Sequence, residues 1–142
     1  MKIGIINGPN LNLLGVREPE VYGRDTLADI EANIRSAISD PDVELQFHQS
    51  NSEAEIIDLL HSLAYNWKVD GIVMNPGSYS HYSYAIRDAI SAIDVPVIEV
   101  HISNTQAREG FRHRSVTAGA CKGKIEGLGW VGYVLAVVYL SS

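Results

Sequence analysis

Short apolar runs alternate along the whole chain with stretches whose apolar residues recur at helical spacing, and this alternation restricts the fold more than any other feature. Strands separated by amphipathic helices make a parallel sheet covered on both faces, because each crossover must carry the chain back to the same end of the sheet. Lys2 to Asn7 is the first expected strand. A helix then begins near Thr26, with Leu27, Ile30, Ile34 and Ile38 on one side, and stops before Pro41. Val43 to His48 is strand two. The next helix opens on Ser50 or Ser52, with Glu53 or Glu55 three residues on, and turns Ile56, Leu59, Leu60, Leu63 and Trp67 inward. Gly71 to Asn75 is strand three, and Pro76 to Ser80 is turn chemistry. Ala85, Ile86, Ala89, Ile90 and Ile93 mark a third helix, and Val95 to Val100 a fourth strand. Lys122 to Glu126 reads as a weaker fifth strand, and Gly129 to Leu140 as a final apolar helix.

Five strands in this order imply a flavodoxin-like α/β fold, a three-layer α/β/α sandwich with a five-stranded parallel sheet, in which ligands sit beyond the carboxyl ends of the strands. At 142 residues and 46% apolar content the chain suits one well-buried core, so residues 1–142 are expected to form a single domain. A net charge of −6 without any basic run argues against nucleic acid as the main partner. The single cysteine, Cys121, excludes an internal disulfide framework and a thiolate metal cluster, and fits a reducing compartment. No apolar run reaches the ~20 residues that span a bilayer, and Met1 to Ile6 is too short for a signal sequence. The expectation is a cytoplasmic enzyme or binding protein.

Polar residues gather where a site belongs in such a fold. The segment after strand one, Asn7 to Gly23, carries Asn10, Arg17 and Tyr22. A guanidinium close to a tyrosine favours the phenolate, which is a base; a solvated connection with an ordinary surface tyrosine is the alternative. Asn75 ends strand three and His81 follows it, although both can equally serve as turn and helix-start residues. Glu99 and His101 lie two apart on one strand face, so the carboxylate can hold one tautomer of the imidazole and favour its charged form, which makes a general acid. A strand-edge histidine satisfied by hydrogen bonds alone is the competing reading. Ser103 follows, and Arg108 and Arg112 stand at i and i+4, able to fork onto carboxylate or hydroxyl oxygens. A solvated basic face suits His113 and Arg114 better. His48 and His61 have no second ligand at metal spacing and read as structural, while Trp67 and Trp130 are core candidates.

Ordered blocks along almost the entire chain resemble the type II 3-dehydroquinate dehydratases: Asn7-Gly8-Pro9-Asn10-Leu11-Asn12, Arg17-Glu18-Pro19, Tyr22-Gly23, Gln49-Ser50-Asn51, Asn75-Pro76-Gly77, Arg87-Asp88, Glu99 to Asn104, Arg108-Glu109, Phe111-Arg112-His113 and Gly127-Leu128-Gly129. Several blocks in order are far more specific than one motif. The resemblance implies a flavodoxin-like hydro-lyase that converts 3-dehydroquinate to 3-dehydroshikimate and water, in the shikimate route to aromatic compounds or in quinate breakdown, without a metal or organic cofactor. It implies Tyr22 as base, Arg17 as its activator, Asn10 holding a water at the enolate oxygen, and His101 as acid supported by Glu99. Asn75, Ile102, Ser103 and Arg112 would bind the substrate's carboxylate and ring hydroxyls, with His81 completing the pocket and Arg108 adding positive charge near the base, and Asp88 would reach into a neighbouring subunit's site. It further implies a trimer-based homo-oligomer, usually a dodecamer, and an active-site lid at about 15–24 bracketed by Gly15 and Gly23. Ser78, Ser80, Tyr82 and the run Thr117 to Cys121 depart from the family's usual residues. Two rival classes fail on residues. A flavin carrier of this fold would want a hydroxyl-rich phosphate loop where Pro9 and Leu11 stand, and a flavodoxin-like small-molecule-binding protein without dehydratase activity stays as the alternative reading. A phosphoacceptor domain would want acidic strand ends where Asn7 and Asn75 stand.

Overall fold

β-branched and aliphatic residues build the centre of the sheet: β1 (Lys2–Asn7) and β3 (Gly71–Asn75) lie side by side and bury nearly every residue. The computed structural model describes residues 1–142. β2 (Glu44–Gln49) flanks β1, and β4 (Val97–His101) and β5 (Gly123–Glu126) follow β3, giving the order β2-β1-β3-β4-β5 with every pairing parallel. The chain therefore reverses its direction of travel across the sheet at the β1–β3 pair. In an open parallel sheet, the loops leaving such a pair diverge and open a crevice above the strand ends.

Helices cover both faces. α2 (Leu27–Ala37) and α5 (Val131–Leu140) lie on one side, where Ile30, Ile34, Tyr133 and Val137 meet Ile5, Val73 and Val100. α3 (Glu53–Tyr65) and α4 (Tyr84–Ala92) cover the other, where Ile56, Leu60, Leu63, Ile86 and Ile90 meet Ile6, Ile72 and Met74. Ile56, Leu60 and Leu63 are fully buried at helical spacing, and each contributes roughly 1.5–3 kcal/mol relative to exposure. The helix starts are chemically marked. Thr26 and Asp29 form a reciprocal capping box, Ser52 accepts from the Glu55 N–H, and Ser83 accepts from the Ile86 N–H.

The expected strands and helices are all present, with ends displaced by one or two residues. β4 starts at Val97, two residues after Val95. α5 starts at Val131 because Gly127 and Gly129, at φ 84° and 59°, turn the chain first. Trp67 departs further from expectation: it follows the end of α3, is 40% exposed, and lies against the His48 ring at 4.9 Å. Trp130 does pack on the α2/α5 side of the core. One turn of helix, α1 (Pro19–Tyr22), lies inside the expected lid segment, with Pro19 at its first position, where its missing N–H costs nothing. No helix is long and apolar enough to cross a membrane.

Candidate active site

The crevice above β1, β3 and β4 collects polar side chains from the three connections that leave those strands. Gly8 allows the first of them to reach it: a Cβ at this position would stand 2.8 Å from the Pro76 carbonyl, so only glycine lets the loop after β1 lie against the loop after β3. The Gly8 N–H donates to the Asn75 carbonyl at 2.8 Å and joins the two loops. Asn10 then takes a left-handed conformation, φ 67°, which asparagine tolerates better than most residues. Its backbone N–H is held by Asn51 Oδ1 at 3.0 Å, and its side-chain amide remains free toward the crevice.

Tyr22, on α1, stands between two guanidinium groups. Arg17 and Arg108 lie 4.8 and 5.1 Å from the centre of its ring, and Arg108 Nη1 donates to its hydroxyl oxygen at 2.6 Å. Arg108 is in turn placed by Glu18 at 3.5 Å, Glu109 at 3.7 Å and Ser103 Oγ at 3.4 Å. Glu18 also meets Arg17 at 3.7 Å, so one carboxylate bridges both arginines. Any negative charge that develops on the Tyr22 oxygen meets positive charge already in place.

Across the crevice, Glu99 and His101 share one face of β4, and His101 Nε2 donates to Glu99 Oε2 at 2.9 Å. The other ring nitrogen is left for the crevice, which His101 lines. Glu99 is fully buried. Burial pushes its carboxyl up, but the hydrogen bond and charge of His101, with the hydroxyls of Thr117 and Ser115, outweigh it and hold Glu99 below the usual carboxylate range. Nearby Cys121 shows the opposite result: burial, and then the charge of Glu99, pushes its thiol up to about 12, so it stays protonated and inert.

Below the crevice floor, Asn75 is fixed by two bonds. Its Oδ1 accepts from the Gly77 N–H at 3.1 Å, and its Nδ2 donates to the Tyr133 oxygen at 2.9 Å. Tyr133, fully buried on α5, donates onward to Asn7 Oδ1 at 2.6 Å. One amide hydrogen of Asn75 remains for a ligand. His81 Nδ1 donates to the Arg114 carbonyl at 2.8 Å, which fixes that tautomer and leaves Nε2 as an acceptor. Arg112 donates through Nε to Glu109 at 2.9 Å and keeps its terminal nitrogens for the crevice. The hydrogen bond from Arg112, foremost, holds the Glu109 carboxyl below its ordinary range.

A model of the family described as class II dehydroquinase matches residues 1–141. The chain belongs to the class II dehydroquinases. The 3-dehydroquinate dehydratase of Bacillus licheniformis is 57% identical over 135 residues, covering 95% of this chain and 92% of that one. That of Bacillus subtilis is 56% identical, covering 97% and 92%. The crystal structure of the type II dehydroquinase from Butyrivibrio crossotus superposes with a TM-score of 0.96 at 48% identity, over 100% of this chain and 98% of that one.

Of the residues expected at a dehydroquinase site, Asn10, Arg17, Tyr22, Asn75, His81, His101, Ile102, Ser103, Arg108 and Arg112 all line this crevice. Glu99 lies behind His101. Asp88 does not reach the crevice; it is exposed on α4. The structure adds Thr105, whose N–H and hydroxyl both donate to Glu126, tying the wall of the crevice to β5. Tyr133 and the hydroxyls of Ser115 and Thr117 also join the site from behind. Apart from Thr117's place in a run that departs from the family's usual residues, nothing near them in sequence marks them, because their partners lie on β1, β3 and β4. His61 is exposed, and no group of three or more metal-binding side chains is present.

Proposed function

We propose that this chain eliminates water from 3-dehydroquinate to give 3-dehydroshikimate, with Tyr22 as base and His101 as acid. The observation that carries this reading is the pairing of the two groups across one crevice: a tyrosine oxygen 2.6 Å from a guanidinium nitrogen, facing a histidine backed by a buried carboxylate. The reaction removes a proton next to a ketone and expels a hydroxyl from the β carbon. It needs a base, a stabiliser for the enolate, and an acid for the departing oxygen. Tyr22, as phenolate, takes the proton, with Arg17 and Arg108 balancing its charge. The free amide of Asn10 holds a water against the enolate oxygen. The crevice-facing nitrogen of His101 then gives its proton to the leaving hydroxyl, which departs as water, and Glu99 stabilises the ring throughout.

Asn75, His81, Ser103, the chain at Ile102, and Arg112 bind the carboxylate and ring hydroxyls, for which guanidinium and amide donors are suited. Closure of the loop at about 15–24 excludes water and sets Arg17 and Tyr22 over the substrate, with Gly15 and Gly23, at φ 91° and 81°, at its two ends. The test is ultraviolet absorbance of purified protein mixed with 3-dehydroquinate, beside a borohydride-treated sample. Growth of the conjugated enone in both supports the reading, because no lysine Schiff base is required. No growth in either returns the chain to a binding protein of this fold.

Asp88 supports a second element of the reading. Exposed on α4 and outside its own crevice, Asp88 would complete that of a neighbour in a trimer-based homo-oligomer, expected as a dodecamer. Light scattering coupled to size exclusion should give a mass that is a multiple of three chains. A monomer would remove Asp88 from the site.

A further inference from the structure

Glu99 does more than meet His101, and its other partners come from a turn outside the crevice. Its Oε2 accepts from Ser115 Oγ at 2.8 Å as well as from His101, and its Oε1 accepts from Thr117 Oγ1. A hydroxyl has one hydrogen, so both are committed to the carboxylate, and the 3.2 Å contact between Ser115 and Thr117 adds no further bond. The Ala118 N–H donates to Ser115 Oγ at 3.0 Å and aims that hydroxyl. The turn itself is pinned on both sides. The Val116 N–H donates to the Ser80 carbonyl at 2.7 Å, and Arg87 Nη1 donates to the Val116 carbonyl at 2.7 Å.

We propose that the hydroxyls of Ser115 and Thr117 are positioning groups for the acid half of the site: they fix the plane of the Glu99 carboxylate and so aim His101 at the leaving hydroxyl. This inference rests on the dehydratase reading given above. With His101 as its only donor, a buried carboxylate could rotate about its last bond and carry the imidazole with it. Three donors spread over both oxygens remove that freedom. They also divide the charge, so that the carboxylate accepts from His101 Nε2 without taking that proton.

The surrounding charges leave this task to the hydroxyls. On β4, His101 is the one titratable group bonded to Glu99. From the adjoining turn comes Cys121, which stays a neutral thiol. From α4, Arg87 is engaged with the Val116 carbonyl. On β5, Lys124 is in register with Glu99 but pairs with Glu126 at 3.4 Å. His81, Arg108 and Arg112 line the same crevice as His101, and each has a partner of its own.

The experiment is a set of steady-state pH profiles with 3-dehydroquinate for the wild-type chain and for Thr117→Val, Thr117→Ser and Ser115→Ala. Valine keeps the shape of threonine and removes the hydroxyl. Thr117→Val should lower kcat about tenfold, the worth of a hydrogen bond to a charged group, with KM within about twofold of wild type. Its acid limb should move to higher pH, because a carboxylate that loses a donor holds its proton more strongly. Thr117→Ser should restore both. An unchanged kcat and profile in Thr117→Val, or equal losses in the valine and serine variants, overturns the proposal. If Thr117→Val does not fold, Ser115→Ala at the half-buried position decides by the same two readings. A wild-type chain without dehydratase activity would instead overturn the functional reading, which is a separate result.

Discussion

Tyr22→Phe is expected to remove turnover and leave substrate binding in place. Phenylalanine keeps the ring between the Arg17 and Arg108 guanidinium groups, at 4.8 and 5.1 Å, so the packing that shapes this side of the crevice survives. Only the oxygen is lost, and with it both the base and the 2.6 Å partner of Arg108. A positioned general base is worth roughly 10²–10⁴ in rate, and no other group on that loop is placed to replace it: Arg17 cannot accept a proton, Glu18 is engaged with both arginines, and Glu20 does not line the crevice. The variant should therefore lose at least about two orders of magnitude in kcat, with KM, or the dissociation constant by calorimetry, changed by less than about tenfold. Turnover retained within a few-fold of wild type would reject Tyr22 as the base while leaving the family assignment intact. Equal loss of binding and turnover would instead make the hydroxyl a ground-state contact.

The layers of the fold were legible in the sequence because each depends on a period. Ile30 and Ile34, or Ile56, Leu60 and Leu63, reach the core for the reason that spaces them in the chain. The crevice was legible for a related reason: in a parallel sheet, residues that end strands share one edge, and Asn75 and His101 are such residues. Features that depend on a distant partner were not. α1 has four residues, too few to show a period. Arg108 meets Tyr22 across 86 positions, a proximity that only the family resemblance implied, and Tyr133 reaches Asn7 across 126, which nothing in the sequence implied. A tyrosine inside the apolar run of α5 reads as core, and by burial it is; that its oxygen orders the asparagine beneath the crevice follows only once β1 and β3 are adjacent. Trp67 was misplaced because α3 ends at Tyr65, so the helical spacing that would turn it inward no longer holds.

Glu99→Gln should separate the electrostatic role of the carboxylate from its shape. The wild-type group accepts three donors and donates none: His101 Nε2 and the two hydroxyls of Ser115 and Thr117. A glutamine in the same space offers one acceptor oxygen and one N–H₂ donor, so at least one of those donors must face another. If the amide nitrogen faces His101, the ring has to turn or adopt the other tautomer, and its crevice-facing nitrogen loses the proton it should deliver. If the oxygen faces His101, the positive ring formed between turnovers has lost its counter-charge. Either arrangement removes the acid step while Asn75, Arg112 and the rest of the crevice remain. The same kind of substitution behind a catalytic histidine costs about 10⁴ in kcat in serine proteases, and a loss of roughly 10²–10⁴ with little change in KM is expected here. The wild-type carboxyl lies below its ordinary range, so the activity that depends on its charge falls only as pH drops through that depressed value; the part of the acid limb due to Glu99 should vanish in the variant. A circular-dichroism melt checks that the loss is chemical, since the amide fills the same space and leaves no cavity, whereas Glu99→Ala would strand His101 and two hydroxyls around a cavity and destabilise the fold by roughly 3–5 kcal/mol. A glutamine variant that turns over like wild type would show that the carboxylate is needed only for its shape, and the acid half of the mechanism would then rest on His101 alone.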